Sequence, residues 1–234
     1  VDLTVHAGEI VGVCGVEGNG QTELAECIAG MRAATGGSVT LCGGEALGRT
    51  PRQLREMGLS YIPEDRMSMG MDVRASVAEN LLLGSQRKPA FSRFFGLHLR
   101  RGQMRRHAQD MQRQFDIRLS DVSEPAGDLS GGNMQKVVIA REFTFGTPVL
   151  LVCQPTRGVD IGATEFIHER IIEKRNQGCA VLLISADLDE LFRLSDRLVT
   201  LFEGRITGDF ASGGITKEEI GYYMTGGKAK EAAK

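Results

Sequence analysis

Three continuous apolar runs dominate the hydrophobic pattern of this chain, at residues 10–14, 148–152 and 180–185. Each run is short and shows no polar alternation, which is typical of strands that are buried on both faces. Helical patterns lie between the runs, so strands and helices alternate along the chain. This order predicts an α/β fold in which helices cover both faces of a parallel sheet.

Weaker patterns complete the predicted elements. Alternation of apolar and polar residues over 1–5 predicts a half-buried strand, and Thr50 followed by Pro51 marks a helix start. Thr216 and Glu219 have the spacing of a capping box and predict the start of the last helix. The other predicted strands are 38–42, 59–62, 197–202 and 205–210, and the other predicted helices include 134–143, 165–176 and 188–194.

Residues 71–127 differ in character, because they are helical in pattern and strongly basic. From Arg87 to Arg118, nine Lys or Arg residues stand against two acidic residues. Two interpretations stay open: a solvated helical surface, or a docking surface for a partner or for lipid headgroups. Four apolar residues in this segment either support docking or form a small local core: Phe91, Phe94, Phe95 and Leu97.

These patterns predict one domain over residues 1–227. Its α/β core takes residues 1–70 and 128–227, with a small antiparallel β-subdomain near the N-terminus. Residues 71–127 are predicted to form an inserted helical subdomain, and residues 228–234 a flexible tail without an apolar anchor. Because the chain begins in a strand-like pattern without methionine, we expect it to be a piece of a longer protein.

Composition narrows the function classes. The chain is 41% hydrophobic and 25% charged, as is usual for globular proteins. Its net charge of −2 argues against general nucleic-acid binding. No apolar run approaches the ~20 residues of a membrane span, and we find no signal peptide. The five scattered cysteines predict reduced core residues in the cytoplasm.

A glycine-rich stretch after the first apolar run is the main candidate site. The glycines at positions 15, 18 and 20 precede a helical pattern that begins near Gln21, an arrangement in which backbone N–H groups and the helix dipole converge on a phosphate. The spacing fits G-x-x-x-x-G-K-[ST] except that glutamine replaces lysine. The predicted nucleotide-binding residues are Gly15, Val16, Glu17, Gly18, Asn19, Gly20, Gln21, Thr22 and Glu23.

A second candidate anion site opens another helix. We call residues 129–133, LSGGN, the signature segment. Ser130 is predicted to cap this helix, and Gly131 and Gly132 allow a phosphate to approach the backbone. About twenty residues later, one buried strand ends at CQPTRGVD and the next ends at SAD.

This ordered set of motifs resembles the nucleotide-binding domain of ATP-binding-cassette (ABC) transporters over essentially the whole chain. The glycine loop resembles Walker A, LSGGN the signature, LLVCQPTRGVD the Walker B motif with its D-loop, and LLISAD the switch segment. The segments GNGQTEL, PEDR and QPTRGVDIGA are similar to the second cassette of two-cassette ATPases that serve sugar and nucleoside importers. The glutamine in the loop and the Cys-Gln pair favour the nucleoside-type branch.

Five positions depart from the pattern that the family has in its hydrolysing sites. By this resemblance, Gln21 replaces the lysine that grips the phosphates. Cys153 replaces the aspartate that supports Mg²⁺, and Gln154 replaces the glutamate that polarises the attacking water. Ala186 replaces the switch histidine. Glu64 stands where the family has its Q-loop glutamine, and by the same resemblance Glu64 and Asp160 are expected among the nucleotide-binding residues.

These departures predict a degenerate site. A neutral hydrogen bond is worth ~1 kcal/mol against roughly 1.5–3 for a charge-assisted one, so nucleotide affinity should fall about tenfold or more. A thiol is a poor ligand for Mg²⁺, so Thr22 and Cys153 predict weak metal binding. Without a base, a rate contribution of ~10²–10⁴ is missing. We expect ATP or ADP to bind and the isolated domain to hydrolyse ATP weakly or not at all.

The resemblance also implies where the intact residues act. In the family, two cassettes meet head to tail, and each site pairs one Walker A with the other cassette's signature. Ser130, Gly131 and Gly132 would therefore complete the ATPase site of a partner cassette, from the same chain or a second copy, and Asp160 would lie at that interface. The other expected partners are membrane-spanning permease subunits and, indirectly, an external solute-binding protein, on the cytoplasmic face of the membrane.

Two alternatives remain. One is a self-sufficient homodimeric ABC ATPase in which Gln154 positions water. The other is a soluble ABC protein that regulates nucleic acid or ribosomes through the basic segment, against which the acidic pI of about 6.2 and the importer-like motifs argue.

Overall fold

The computed structural model of the protein describes residues 1–93 and 98–227. The predictions for Phe94, Phe95, Leu97 and the 228–234 tail fall outside these residues. In chain order the helices and strands are β1 (Ile10–Cys14), α1 (Gln21–Ile28), β2 (Thr40–Leu41), β3 (Gly44–Glu45), α2 (Pro51–Met57), β4 (Leu59–Ile62), a π-helical turn (Arg66–Gly70), α3 (Val77–Leu82), β5 (Ser92–Arg93), β6 (His98–Leu99), α4 (Arg101–Gln114), a 3₁₀ turn (Ala126–Asp128), α5 (Gly131–Thr144), β7 (Val149–Cys153), α6 (Ile161–Asn176), β8 (Ala180–Ile184), α7 (Leu188–Leu194), β9 (Arg197–Phe202), β10 (Arg205–Ala211) and α8 (Lys217–Met224).

The three apolar runs form neighbouring strands of the main sheet, whose order is β10-β9-β1-β8-β7-β4. Strand β1 pairs in parallel with both β8 and β9, and β7 pairs in parallel with β8. Val13 and Cys153 are both in register with Ile184, so the carboxyl ends of β1, β7 and β8 lie at one edge. Loops that follow parallel strands at such an edge are where α/β proteins bind ligands.

The sheet core explains why these runs carry no polar alternation. All five residues of β1 are buried, as are all five of β8. Leu151 is 1% exposed and Leu183 is fully buried, in keeping with strands covered on both faces. The predicted α/β class with a mostly parallel sheet is confirmed.

The chain divides into two compact units. Of the described residues, the first unit comprises 1–61, 147–154 and 168–227, and contains β1, β8 and the hairpin of β9 with β10. The second unit comprises residues 62–93, 98–146 and 155–167. Within the second unit, Phe115 packs edge-on against Phe143 and Phe166, with ring centroids 6.4 Å apart in each pair. The predicted domain boundaries stay a prediction.

Several elements differ from those predicted. Residues 1–5 form no strand, so the antiparallel part near the N-terminus is only the short β2–β3 pair. The basic segment contains a second short antiparallel pair, β5 with β6, besides its helices. Helix α5 begins three residues before the predicted 134, and α6 begins at Ile161 rather than Glu165. Both helices begin at polar residues whose side chains cap them, Ser130 for α5 and Asp160 for α6, and these residues lie outside the apolar periodicity.

Two sequence expectations concern cysteines and membrane spans. Cys14, Cys153 and Cys179 are buried, whereas Cys42 is exposed, so the prediction of core cysteines is wrong for Cys42. Burial raises the pKa of the Cys14 thiol to about 12. Within residues 1–93 and 98–227, every helix is too short or too polar to cross a lipid bilayer.

Candidate functional site

The glycine loop (residues 15–20) joins β1 to α1 and turns sharply at two glycines. Gly18 has φ +90° and Gly20 has φ +105°, a region that only glycine adopts readily. Gly20 is the N-cap of α1 and supplies no side-chain cap, so the first N–H groups of this helix are available to an anion. The main chain of Asn19 accepts a hydrogen bond from Gly204 N–H at 2.9 Å, which holds the loop in place.

Gln21 lies across this loop. Its Nε2 donates to the Val16 carbonyl oxygen at 3.1 Å. A Cβ atom on Gly15 would come within 2.1 Å of Gln21 Nε2 and 2.9 Å of the Leu201 carbonyl oxygen. Gly15 is therefore needed so that the Gln21 amide can approach the backbone. The position where the sequence motif expects a cation holds a neutral amide that bonds to the loop itself.

The loop fits a phosphate in shape and opposes it in charge. Its backbone supplies glycine turns and an uncapped helix end. Glu17, in the loop, and Glu23, in the first turn of α1, are both exposed and add negative charge there. Val16 is 50% exposed and Thr22 is exposed.

The carboxyl end of β7 brings two other predicted residues together. Gln154 has φ +48°, and its N–H donates to the Ile184 carbonyl oxygen at 2.8 Å. Its side-chain Oε1 accepts from Ala186 N–H at 3.1 Å. Cys153, directly before it, is 4% exposed. Gln154 and Ala186 are thus adjacent at the edge where α/β proteins bind ligands, and neither supplies a base or a charge.

The two predicted metal ligands differ in chemistry and in exposure. Thr22 supplies one exposed hydroxyl, and Cys153 supplies a buried thiol. Magnesium prefers oxygen ligands, with one or two carboxylates among them. In the part of the chain that the structure describes, no three His, Cys, Asp or Glu side chains are grouped so as to hold a metal.

The signature segment opens α5 as predicted. Ser130 is the N-cap, with its Oγ accepting from Asn133 N–H at 3.4 Å. A Cβ atom on Gly131 would lie 2.8 Å from Arg66 Nη2, and one on Gly132 would lie 2.9 Å from an Asp160 carboxylate oxygen. Because neither glycine has a side chain, Arg66 and Asp160, from other segments of the second unit, can pack close to the backbone at the start of α5.

Arg66 and Arg157 tie the PEDR segment to the segment before Asp160. Arg66 Nη1 donates to the Arg157 carbonyl oxygen at 2.8 Å, and Nη2 donates to the Gly158 carbonyl oxygen at 3.4 Å. The Arg157 guanidinium in turn forms an ion pair with Glu64. Glu64, the residue at the Q-loop position, is therefore partly neutralised by an arginine of its own unit.

Asp160 caps the next helix. Its Oδ1 accepts from Ala163 N–H at 2.9 Å, and its carbonyl oxygen accepts from Thr164 N–H at 2.9 Å. One oxygen of this exposed carboxylate is thus committed to α6, while the group also borders Gly132.

Sequence reasoning missed three residues that support the signature segment: Arg66, Arg157 and Asn133. A sequence signal existed for Arg66 and Arg157, because PEDR and PTRG both combine turn residues with an arginine. It did not show that the two segments meet. In the sequence, Asn133 is marked only as the last residue of the signature segment.

Comparisons with known proteins show which family and which relatives this chain resembles. The family model described as "ABC transporter" matches residues 1–157. The whole chain is 43% identical to the guanosine import ATP-binding protein NupO of Bacillus subtilis and covers 46% of it. Over 99% of its length it is 41% identical to the nucleoside import ATP-binding protein NupA of Lactococcus lactis, and covers 45% of that protein. The chain thus spans about half the length of the curated relatives it matches.

Solved structures share the fold. One is a dimeric ATP-binding cassette in a post-hydrolysis state bound to ADP and Pi, with a TM-score of 0.76 and 20% identity over 92% of this chain and 90% of that one. A nucleotide-free ATP-binding cassette has a TM-score of 0.76 and 23% identity, over 96% of this chain and 87% of that one. The predicted ABC ATPase fold is confirmed.

Proposed function

The chain belongs to the ABC transporter family, and from this premise we propose that it is an ATP-binding domain of an importer for nucleosides or sugars. Two of its relatives, from Bacillus subtilis and Lactococcus lactis, are named as guanosine and nucleoside import ATP-binding proteins, which supports the nucleoside class. The chain would act as the second, degenerate cassette, on the cytoplasmic face of the membrane.

The glycine loop would hold ATP or ADP without hydrolysing it quickly. The uncapped start of α1 and the glycine turns supply backbone donors for the phosphates. Gln21 supplies a neutral donor in place of a lysine, so binding is weaker. With Thr22 as the remaining oxygen ligand beside a thiol, Mg²⁺ binding is weak as well.

A nucleotide held by the glycine loop would find neither a general base nor a side chain that donates a hydrogen bond to its terminal phosphate. An amide has no useful basicity, and Gln154 already accepts a hydrogen bond from Ala186 N–H. The alanine has no side chain that can donate to a developing phosphate charge. Together these residues leave positioning by the backbone as the main contribution of this site.

The signature segment would act on a partner cassette's nucleotide. Ser130 and the first N–H groups of α5 form an intact anion-binding helix start, supported by Arg66 and Asp160. The partner is an N-terminal cassette of the same chain or a second copy of this domain. Closure of the two cassettes on each other would be transmitted to membrane-spanning subunits. The observation that carries the proposal is this contrast between a loop site without the cation of the motif and an intact signature segment.

The proposal is tested by measuring nucleotide binding and hydrolysis separately. We expect this chain alone to bind ATP weakly and to show negligible Mg²⁺-dependent hydrolysis. Addition of a cassette with complete Walker motifs should restore hydrolysis, and Ser130→Ala should remove that gain. Brisk hydrolysis by this chain alone, abolished by the double change Gly15→Ala and Gly18→Ala, would contradict the proposal.

A further inference from the structure

Asn133, the last residue of the signature segment, bonds to Ser130 rather than projecting away from it. Its Nδ2 donates to Ser130 Oγ at 2.9 Å, while its backbone N–H donates to the same oxygen at 3.4 Å. A serine hydroxyl has two acceptor positions and one O–H donor. With both acceptor positions taken from within α5, the O–H of the exposed Ser130 is left to donate outward.

The orientation of the Asn133 amide is set by a third residue. The N–H of Arg118 donates to Asn133 Oδ1 at 2.9 Å. An amide oxygen accepts and an amide nitrogen donates, so this bond fixes the Nδ2 end toward Ser130. The reversed orientation would place two donors against each other.

The segment that supplies the Arg118 N–H is attached to α5 one turn further on. Lys136 Nζ donates to the Asp116 carbonyl oxygen at 2.8 Å and to its Oδ2 at 3.0 Å. Between the two attachments, the Ile117 side chain is 3% exposed. Residues 116–118 are therefore held against α5 by Lys136 and Asn133, with a buried side chain between them.

From this chain of contacts we propose that Asn133 is a positioning residue that aims the Ser130 hydroxyl hydrogen at the nucleotide phosphate of the partner cassette. The inference rests on the proposed function, in which the signature segment acts in trans. It assigns to the asparagine a task that a side chain without an N–H donor cannot perform.

The test uses two substitutions in the full-length protein that contains this chain, assembled with its membrane partners, with MgATP as the probe. Ser130→Ala removes the hydroxyl, and we expect about 10- to 100-fold lower turnover because a hydrogen bond to a charged group is lost. Asn133→Asp has the same shape and keeps the acceptor for Arg118 N–H. It replaces the Nδ2 donor by an oxygen, which accepts a hydrogen bond instead. The Ser130 O–H then donates inward to this oxygen and no longer outward, so we expect turnover to fall about tenfold or more.

A double-mutant cycle separates positioning from added charge. If Asn133 acts through the hydroxyl, Asn133→Asp should change turnover less than about twofold in the Ser130→Ala background. Equal losses in both backgrounds would mean that the new negative charge repels the phosphate, and would overturn the inference. Full turnover for Asn133→Asp beside a loss for Ser130→Ala would also overturn it. No loss for Ser130→Ala would instead contradict the proposed function.

Asn133→Ala is the second variant if Asn133→Asp lowers the thermal unfolding midpoint enough to unfold the protein. It removes the amide without adding charge and leaves the hydroxyl free to rotate. We expect a smaller loss than for aspartate, and none in the Ser130→Ala background. A loss of the same size in both backgrounds would overturn the inference.

Discussion

The glycine loop and the signature segment are both glycine-rich turns that open a helix, but their supporting side chains differ. At the loop, Gln21 bonds to the Val16 carbonyl and no side chain caps α1. At the signature segment, Ser130 caps α5, and Arg66 and Asp160 approach the two glycines. The comparison teaches that two glycine turns of similar backbone shape, each opening a helix, can be surrounded by side chains of different chemistry.

A Cβ branch at the signature segment should have the largest effect. Gly132→Val would push its side chain into the Asp160 carboxylate, 2.9 Å from the Cβ position, and Ala163 Cβ, 3.1 Å away. We expect MgATP turnover of the full assembly to fall about 100-fold or more, while nucleotide binding by the glycine loop of this chain is kept. Gly221→Val, at a helical glycine with open space, is the matched control. Equal losses in both variants would mean a general folding defect.

The corresponding change in the glycine loop should affect binding rather than turnover. Gly15→Ala brings a methyl group within 2.9 Å of the Leu201 carbonyl oxygen and displaces the Gln21 amide. We expect nucleotide affinity of this chain to fall about tenfold, as measured by titration calorimetry. Unchanged affinity would show that the loop does not hold the nucleotide.

A lysine at position 21 would supply the cation that the sequence motif expects in the glycine loop, and its effect on binding can be compared with its effect on hydrolysis. Gln21→Lys replaces a neutral donor by a charged one, so affinity for ATP should rise about tenfold. Hydrolysis by the isolated chain should stay negligible, because Gln154 and Ala186 still supply no base and no charge. Gln154→Glu serves as the companion variant, and robust hydrolysis from that single change would favour the self-sufficient homodimer.

The ion pair between Asp116 and Lys136 of α5 should make a small, pH-dependent contribution to the free energy of unfolding. The hydrogen bond and charge of Lys136 hold the pKa of the Asp116 carboxyl below its usual range. A lowered folded pKa means that this contact stabilises the fold above the unfolded pKa and that the contribution is lost as the pH falls through the folded value. Because the Asp116 side chain is 64% exposed, the contribution should be below about 1 kcal/mol.

Lys136→Met checks this expectation by urea unfolding between pH 7 and pH 3. The wild-type protein should lose slightly more stability over this range than the variant does. An identical pH dependence in both proteins would mean that the Asp116–Lys136 pair contributes no measurable stability.

Much of the main sheet was predictable because strands that are buried on both faces appear in the sequence as continuous apolar runs. The β1 run, the two other apolar runs, the helix start at Thr50 and the capping box at Thr216 all appear in the structure close to where the pattern places them. Residues 1–5 alternate like a strand yet form none, because alternation gives no information about whether a pairing partner is available.

The candidate site was predictable only in part. Motif spacing located the glycine loop and the signature segment, since glycine turns and helix caps are local. The contacts of Arg66 with the carbonyls of Arg157 and Gly158 join segments about ninety residues apart, and spacing along the chain contains no information about them. The same holds for the bond from Arg118 to Asn133, which depends on how residues 116–118 pack on α5.

The proposed difference in role between the glycine loop and the signature segment is tested most directly by one pair of substitutions in this chain, assembled with its proposed partner cassette and membrane subunits. MgATP turnover is measured for Ser130→Ala and for Gln154→Ala. Turnover should fall about tenfold or more in the first variant and stay essentially unchanged in the second, because in the proposed function Ser130 acts on the partner's nucleotide and Gln154 lies at a site that does not turn over. If Gln154→Ala abolished turnover while Ser130→Ala left it unchanged, the proposed roles of the glycine loop and the signature segment would be contradicted.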